Sequence, residues 1–214
     1  MVLFMNSATK PAKIILPGGN GYLGQTLTQY FTRQQVPVVI LSRQPHPEST
    51  LVKYVQWDGE TLGDWASSFE GPTAVINLVG RTVNCRYNEA NKREIYASRL
   101  ASTKVIGEAI ARCATPPKMW LNASSATIYR HAEDRAMDEA TGEIGTGFSV
   151  DVCQQWEQAL AKATTPQTRK VALRSAMVFG QGKGGVFEAF QNIVKIGLGG
   201  TLGKGKRVRE NKQA

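Results

Sequence analysis

Residues 18–24 combine a glycine spacing with a strand-to-helix position that suits phosphate binding. The segment reads GGNGYLG, with glycines at relative positions one, four and seven. The first glycine permits a tight turn, the second lets backbone amides approach a pyrophosphate, and the third lets a helix pack close to a strand. A helix N-terminus also favours an anion. The segment predicts a dinucleotide-binding turn, formed by Gly18, Gly19, Asn20, Gly21, Tyr22, Leu23 and Gly24.

A nucleoside-triphosphate site is the main alternative for this segment. Residues 19–26 read GNGYLGQT, which is one residue away from a P-loop. Gln25 stands where a P-loop has its phosphate-binding lysine. Without that cation the charge of a terminal phosphate is poorly compensated, so the sequence disfavours a P-loop nucleoside triphosphatase.

The end of the second predicted strand indicates which dinucleotide is preferred. An NAD site tends to have an acidic residue about 20 positions beyond the glycines, where it binds the ribose hydroxyls. Here the strand ends in Ser42 and Arg43. A guanidinium pairs with a 2′-phosphate and stacks on adenine, which favours NADP over NAD, although a surface arginine is the alternative interpretation. Asp58, after the third strand, either accepts from the adenine amino group or caps a turn.

The elements around these residues alternate between apolar strands and amphipathic helices. The predicted strands are residues 13–18, 36–43, 51–58, 74–80, 118–125 and 170–180, and the predicted helices are residues 22–34, 88–113 and 149–163. Long helices between successive strands require parallel pairing, so we expect an α/β fold of the Rossmann type, a doubly wound parallel sheet with helices on both faces. The buried face of the first helix is predicted to hold Leu23, Leu27, Tyr30 and Phe31. The predicted domain covers residues 13–197, between a tail at 1–12 and a glycine-rich, basic and disordered tail at 198–214.

Composition limits the classes of partner. The chain has 214 residues and a formal net charge of +9, and 42% of its residues are hydrophobic. More than half of that charge falls in residues 195–214, a basic end without aromatic residues, so no specific nucleic-acid binding is expected. Three widely spaced cysteines predict neither disulfides nor a metal site and suit a reducing cytoplasm. No apolar run approaches the roughly 18 residues of a membrane span.

Several segments resemble the extended and atypical short-chain dehydrogenase/reductases. They are AVINLVG (74–80), NASSATIY (122–129) and LRSAMVFGQGKGG (173–185). The segment 76–103, the pair Trp156-Glu157 and GLGGTLGKGK (197–206) resemble a narrower branch, the uncharacterised NAD-dependent epimerase/dehydratase-like proteins. The resemblance implies that Leu78, Val79 and Gly80 run past the cofactor's ribose and that the sixth strand lies beside the nicotinamide.

The same resemblance supplies candidate catalytic residues. By its position before Ala-Thr-Ile-Tyr, Ser125 matches the family serine that holds the substrate oxygen, and Ser124 would lie close to the cofactor. Backbone bonding at a strand end is the alternative for both hydroxyls. Tyr129 is a candidate on the substrate side.

The family's Tyr-x-x-x-Lys dyad is absent. Counting back from Glu157 places Ser149 at the tyrosine position and Cys153 at the lysine position. A serine cannot supply the proton chemistry of a phenol, and a thiol cannot replace an ammonium group. Cys153 is interpreted as a small core residue. Three other residues could in principle replace the dyad chemically, but we interpret them as surface groups: His46, His131 and Glu139.

The C-terminal end departs from the family pattern as well. In extended members the glycine-rich stretch leads into strands and helices of a substrate-binding domain, and here it leads only into RVRENKQA. We therefore expect a truncated chain with most of the substrate pocket missing and apolar surface left at the cleft. Three functions stay open: an NADP-dependent oxidoreductase or epimerase-like enzyme of unknown small-molecule substrate, a non-catalytic dinucleotide-binding sensor, and an inactive fragment. A homodimer through the two long helices is expected from the resemblance.

Overall fold

The computed structural model describes residues 12–71, 73–180, 182 and 184–200. The strands in this part of the chain are β1 (Lys13–Pro17), β2 (Val38–Ser42), β3 (Val52–Gln56), β4 (Thr73–Asn77), β5 (Met119–Ser125) and β6 (Arg169–Ser175). They form one sheet in the order β3-β2-β1-β4-β5-β6, and every neighbouring pair is parallel. This strand order is that of the doubly wound Rossmann fold, as the sequence predicted.

Helices cover both faces of the sheet. They are α1 (Tyr22–Arg33), α2 (Glu89–Ala111), α3 (Phe148–Lys162) and α4 (Val186–Lys195), with short 3-10 helices at Asp64–Phe69 and Ala126–Ile128. Because side chains alternate along a strand, Ile14 and Leu16 of β1 join the core on the α1 side, while Ile15 joins the core beneath α2 and α3. Residues 14–17 of the central strand β1 are buried on both faces, which explains their uninterrupted apolar sequence.

A buried polar network fixes α3 against the carboxyl half of the sheet. The Nδ2 of Asn77 donates to Oδ1 of Asn122 on the next strand at 2.7 Å. Thr103 of α2 donates to the same oxygen at 3.4 Å and accepts from the indole Nε1 of Trp156 at 2.9 Å. Because unpaired polar groups are costly in a core, this network favours one position of α2 and α3 above β4 and β5.

Several local predictions differ from the structure, and the fourth strand, for example, ends at Asn77 rather than at residue 80. Leu27 and Phe31 of α1 pack against the core as predicted, but Leu23 and Tyr30 are 39% and 54% exposed. The helix face that meets the sheet contains the buried Gly24, and Leu23 and Tyr30 lie outside that face. The sixth strand ends at Ser175 rather than at residue 180, since its last partner on β5 is Ser125. Helix α4 was not predicted.

The predicted tails fall mostly outside the described residues, which exclude residues 1–11 and 201–214. Within the described ranges, no helix is long and apolar enough to cross a membrane. The same residues contain no cluster of histidine, cysteine and acidic side chains suited to a metal ion.

Candidate functional site

The glycine turn lies at the carboxyl edge of the sheet, where its topology changes direction. The chain moves from β1 outward to β2 and β3, then returns to the other side of β1 to form β4, β5 and β6. Loops that leave β1 and β4 therefore separate there and open a crevice, which is the usual ligand position in open α/β sheets. The predicted turn follows β1 and the segment 78–80 follows β4, so both border this crevice.

Two glycines of the turn are required by close packing. Gly18 has a φ of +73°, and a Cβ built on it would lie 2.9 Å from the backbone nitrogen of Val79. A Cβ on Gly24 would overlap the carbonyl oxygen of Gly19. The first contact joins the β1 and β4 loops, and the second sets α1 directly against the turn.

Gly21 has the opposite environment. A Cβ built on it would meet no atom within 4 Å, and no side chain caps the start of α1 at this residue. Open space in front of an uncapped helix N-terminus is the arrangement that accepts a phosphate group.

Asn20 connects the turn to the end of β2. Its Nδ2 donates to the hydroxyl of buried Ser42 at 2.6 Å and lies 3.0 Å from Nε2 of His46. Its Oδ1 is buried and has no hydrogen-bond partner within the described ranges. His46, interpreted from sequence as a surface residue, is half-buried and packs its ring 4.8 Å from that of Tyr54. An unpaired buried acceptor beside the turn leaves one polar group available to a ligand.

Arg43 and Asp58 line one open hollow of about 550 Å³ at the ends of β2 and β3. Arg43 is exposed. Asp58 accepts hydrogen bonds from the hydroxyl and backbone N–H of Thr61 and the backbone N–H of Glu60, and these bonds lower its pKa to about 2. The carboxylate therefore caps the turn before the 3-10 helix, as one of the two interpretations predicted, and also faces the hollow beside Arg43.

The loop after β4 is fixed by β4 itself and by the neighbouring strand β1. The backbone N–H of Val79 donates to Oδ1 of Asn77 at 3.1 Å, and that of Leu78 donates to the carbonyl oxygen of Pro17 at 2.9 Å. Gly80 is exposed and lies against the guanidinium of Arg99. These contacts hold the segment 78–80 beside the glycine turn.

A half-buried ion pair connects β5, β6 and α3. Glu157 accepts from Nε and Nη2 of Arg174 at 2.9 and 2.8 Å and from the hydroxyl of Ser124 at 2.6 Å. Burial by itself would raise the pKa of Glu157, but the hydrogen bonds from Arg174 and Ser124 lower it overall. The pairing with Glu157 in turn raises the pKa of Arg174. The hydroxyl hydrogen of Ser124 is therefore engaged in the bond to Glu157.

Arg174 also reaches the candidate Tyr129. Its Nη1 donates to the phenol oxygen at 2.8 Å, and its guanidinium carbon lies 5.1 Å from the centre of the ring. The hydrogen bond and the stacked guanidinium hold the Tyr129 phenol in one position.

The positions of the missing dyad hold a buried thiol, Cys153, and an exposed hydroxyl, Ser149. Cys153 is buried, and burial raises the pKa of its thiol. The hydroxyl of Ser125 lies 2.6 Å from that of Thr127 and caps the short helix Ala126–Ile128. Thr127 is in turn 3.8 Å from the Cys153 sulfur. Ser149 is exposed at the start of α3.

Sequence reasoning missed several residues of this region. The sequence motifs include Arg174 and Glu157 but assign them no role, and they assign none to Arg99. His131 and Glu139 are exposed, as interpreted. Tyr22 fills space near the chain after β6, because a Cβ on Gly180 would overlap its hydroxyl. The sequence carries no local signal for Glu157, which stands among the polar residues Gln154, Gln155 and Gln158.

The fold and the turn define a dinucleotide-binding protein of the Rossmann class. The chain belongs to the NAD dependent epimerase/dehydratase family, whose sequence profile matches residues 14–210. It is 30% identical over 196 residues to the human epimerase family protein SDR39U1, covering 90% of this chain and 63% of that protein. It is 28% identical over 197 residues to the epimerase family protein SSP1921 of Staphylococcus saprophyticus, with 90% and 64% covered.

Solved structures agree with this assignment. The crystal structure of human SDR39U1 (isoform 2) with NADPH superposes with a TM-score of 0.77 at 30% identity, covering 91% of this chain and 63% of that one. A nucleoside-diphosphate sugar epimerase from Corynebacterium glutamicum gives a TM-score of 0.72 at 25% identity, with 92% and 40% covered. The chain thus spans less than two thirds of the length of these relatives.

Proposed function

We propose that this chain binds NADP(H) in the crevice between the β1 and β4 loops, with the pyrophosphate at the start of α1. The observation that carries the proposal is the contrast within the turn. Gly18 and Gly24 are closed in by backbone, whereas Gly21 faces open space at an uncapped helix end. Packing alone explains the first two glycines, and a ligand that approaches the backbone explains the third.

The adenosine half would occupy the hollow at the ends of β2 and β3. Arg43 would pair with the 2′-phosphate there, and Asp58 would face the adenine. The human relative solved with NADPH supports the NADP preference. NAD stays the second cofactor, since the family is named for it.

Fluorescence titration with NADPH and NADH tests this proposal. Charge-assisted hydrogen bonds contribute about 1.5–3 kcal/mol, so Arg43→Ala should weaken NADPH roughly 10- to 100-fold and NADH much less. Arg93→Ala, an exposed arginine on α2, is the matched control and should change neither. An equal effect of Arg43→Ala on both cofactors would remove Arg43 from the 2′-phosphate site, and no binding of either cofactor would refute the proposal.

Catalysis by this chain would depend on Tyr129. The hydrogen bond from Arg174 favours an oxidoreductase or epimerase-like role, in which the cofactor supplies hydride chemistry and the phenol moves a proton. Ser125 would then orient the substrate oxygen. The absence of the Tyr-x-x-x-Lys dyad instead favours a non-catalytic NADP-binding sensor. Cofactor turnover with aldehydes, ketones and nucleotide sugars separates the two, because a sensor binds NADPH and turns over none of them.

We also propose a cytoplasmic homodimer without specific nucleic-acid binding. A groove of about 820 Å³ runs between α2 and α3, and its lining includes Leu100, Lys104, Ala111, Gln155 and Ala159. Family resemblance assigns dimerisation to these two helices. Analytical ultracentrifugation should give the mass of two chains, and Ala159→Arg should shift the protein to monomer. A monomer in the wild type would contradict this proposal.

A further inference from the structure

Arg99 lies beside the loop after β4, at the sheet edge where the cofactor is proposed to bind. The side chain comes from α2 and is half-buried. A Cβ built on Gly80 would lie 3.2 Å from its guanidinium, and the guanidinium carbon lies 5.0 Å from the centre of the Trp156 ring. Arg99 therefore sits between the loop after β4 and helix α3, beside the crevice.

Among the residues that the structure describes, Arg99 has no acidic partner. Its Nη1 and Nη2 donate to the carbonyl oxygens of Ile95 and Arg81, at 3.0 and 3.2 Å. Both acceptors are neutral, and a guanidinium has five N–H groups. Burial lowers the pKa of Arg99, although its interactions with Cys153 and Tyr87 partly offset this. A half-buried cation of this kind is costly unless something compensates it.

Other half-buried arginines of the described chain are all compensated. Each of them forms an ion pair with a carboxylate, as Arg81 does with Glu94, Arg130 with Asp134, Arg135 with Glu143 and Arg174 with Glu157. Arg99 is the exception within the described ranges. Within the part of the chain that the structure describes, each half-buried arginine other than Arg99 is therefore paired with a carboxylate, and the arginine beside the crevice is not.

We propose that Arg99 binds an anionic group, a carboxylate or a phosphate, of the small molecule that enters the crevice beside the dinucleotide. The guanidinium fork suits both groups because it can donate two parallel hydrogen bonds to them. Trp156 covers the cation on one side and holds its orientation. The inference deepens the proposed function and rests on the dinucleotide occupying the glycine turn, so the bound anion belongs to a substrate that carries a negative charge.

Calorimetric titration of the wild type with inorganic phosphate and with acetate tests the proposal, with and without saturating NADP. The variants are Arg99→Gln, which keeps most of the stem, and Arg99→Lys, which keeps the charge without the fork. Arg93→Gln, exposed on the same helix, is the matched control. We expect the wild type to bind at least one probe with NADP present, about tenfold weaker binding in Arg99→Gln, an intermediate effect in Arg99→Lys, and no change in Arg93→Gln.

Three results would overturn the proposal. They are no binding of either probe to the wild type, equal losses in Arg99→Gln and Arg93→Gln, and a loss of NADPH affinity in Arg99→Gln as large as its loss of probe binding. The third of these results would mean that Arg99 binds an anionic group of the cofactor rather than of the substrate. If Arg99→Gln does not fold, Arg99→Lys decides, since wild-type probe affinity in that variant would exclude recognition by the guanidinium fork. Failure of the wild type to bind NADPH would refute the proposed function. It would leave the test of Arg99 intact, because the probes are also titrated without NADP.

Discussion

Replacing Glu157 with glutamine tests how much the ion pair with Arg174 stabilises the fold. The two side chains are 19% and 22% exposed, so solvent screens the pair only partly. Glutamine keeps the shape and one acceptor oxygen but removes the charge and one of the two hydrogen bonds from Arg174. The guanidinium is then left half-buried with an incomplete partner.

The expected loss follows from those contacts. Removing one member of a buried pair costs about 3–5 kcal/mol, and a retained neutral acceptor offsets part of this. A charge-assisted hydrogen bond is worth about 1.5–3 kcal/mol. We therefore expect Glu157→Gln to lower the free energy of unfolding by about 2–3 kcal/mol near neutral pH, measured by urea denaturation and circular dichroism. Glu108→Gln, which breaks an exposed pair with Lys104, should cost less than about 1 kcal/mol.

The pH dependence gives the refuting result. The pKa of Glu157 is lowered in the folded state, so its stabilisation is fully present above the unfolded pKa of about 4.3 and is lost as pH falls through the folded value. The difference between wild type and Glu157→Gln should therefore be constant from about pH 7 to pH 5 and shrink towards pH 3. A difference that is as large at the acidic end, or no larger than that of Glu108→Gln at neutral pH, would refute the ion-pair argument.

Three further predictions concern the turn, the thiols and the phenol. Gly24→Ala should destabilise the fold by about 1–3 kcal/mol, because its Cβ overlaps backbone atoms. Gly21→Ala should keep the thermal midpoint and weaken the binding of NADPH, because its Cβ meets no protein atom. Equal destabilisation by both substitutions would contradict this difference in packing. Cys153 should react with a thiol reagent more slowly than the half-buried Cys85, because burial removes access and raises its pKa, and mass spectrometry of partly labelled protein checks the order. Tyr129→Phe should abolish any turnover and keep NADPH affinity within about twofold, and unchanged turnover would exclude Tyr129 as the proton-transfer group.

The glycine turn was predictable because its determinants are local. A strand, a turn and a helix follow one another within residues 13–33, and the backbone conformation of Gly18 and the close contact at Gly24 belong to that short unit. The parallel sheet was predictable for a similar reason, since helices between successive strands permit few other connections. The end of β6 was not predictable, because it depends on where its neighbour β5 ends.

The polar cluster beside the crevice could not be derived from spacing. Glu157 is 33 residues from Ser124 and 17 from Arg174, and Tyr129 is 45 residues from Arg174. Each bond joins different elements, so it exists only when α3, β5 and β6 pack in one arrangement. Family motifs located Ser124 and Tyr129 along the chain, but they carried no information about which cation each would meet.

By itself the sequence determined the β1–turn–α1 unit, the parallel fold and the loss of the Tyr-x-x-x-Lys pattern, because these depend on residue type and short-range order. Only the tertiary structure decided that Arg174 is neutralised by Glu157 while Arg99 is not. The physical reason is that the cost of a charge depends on its burial and on its partners, and both are set by helices and strands that the chain brings together from distant positions.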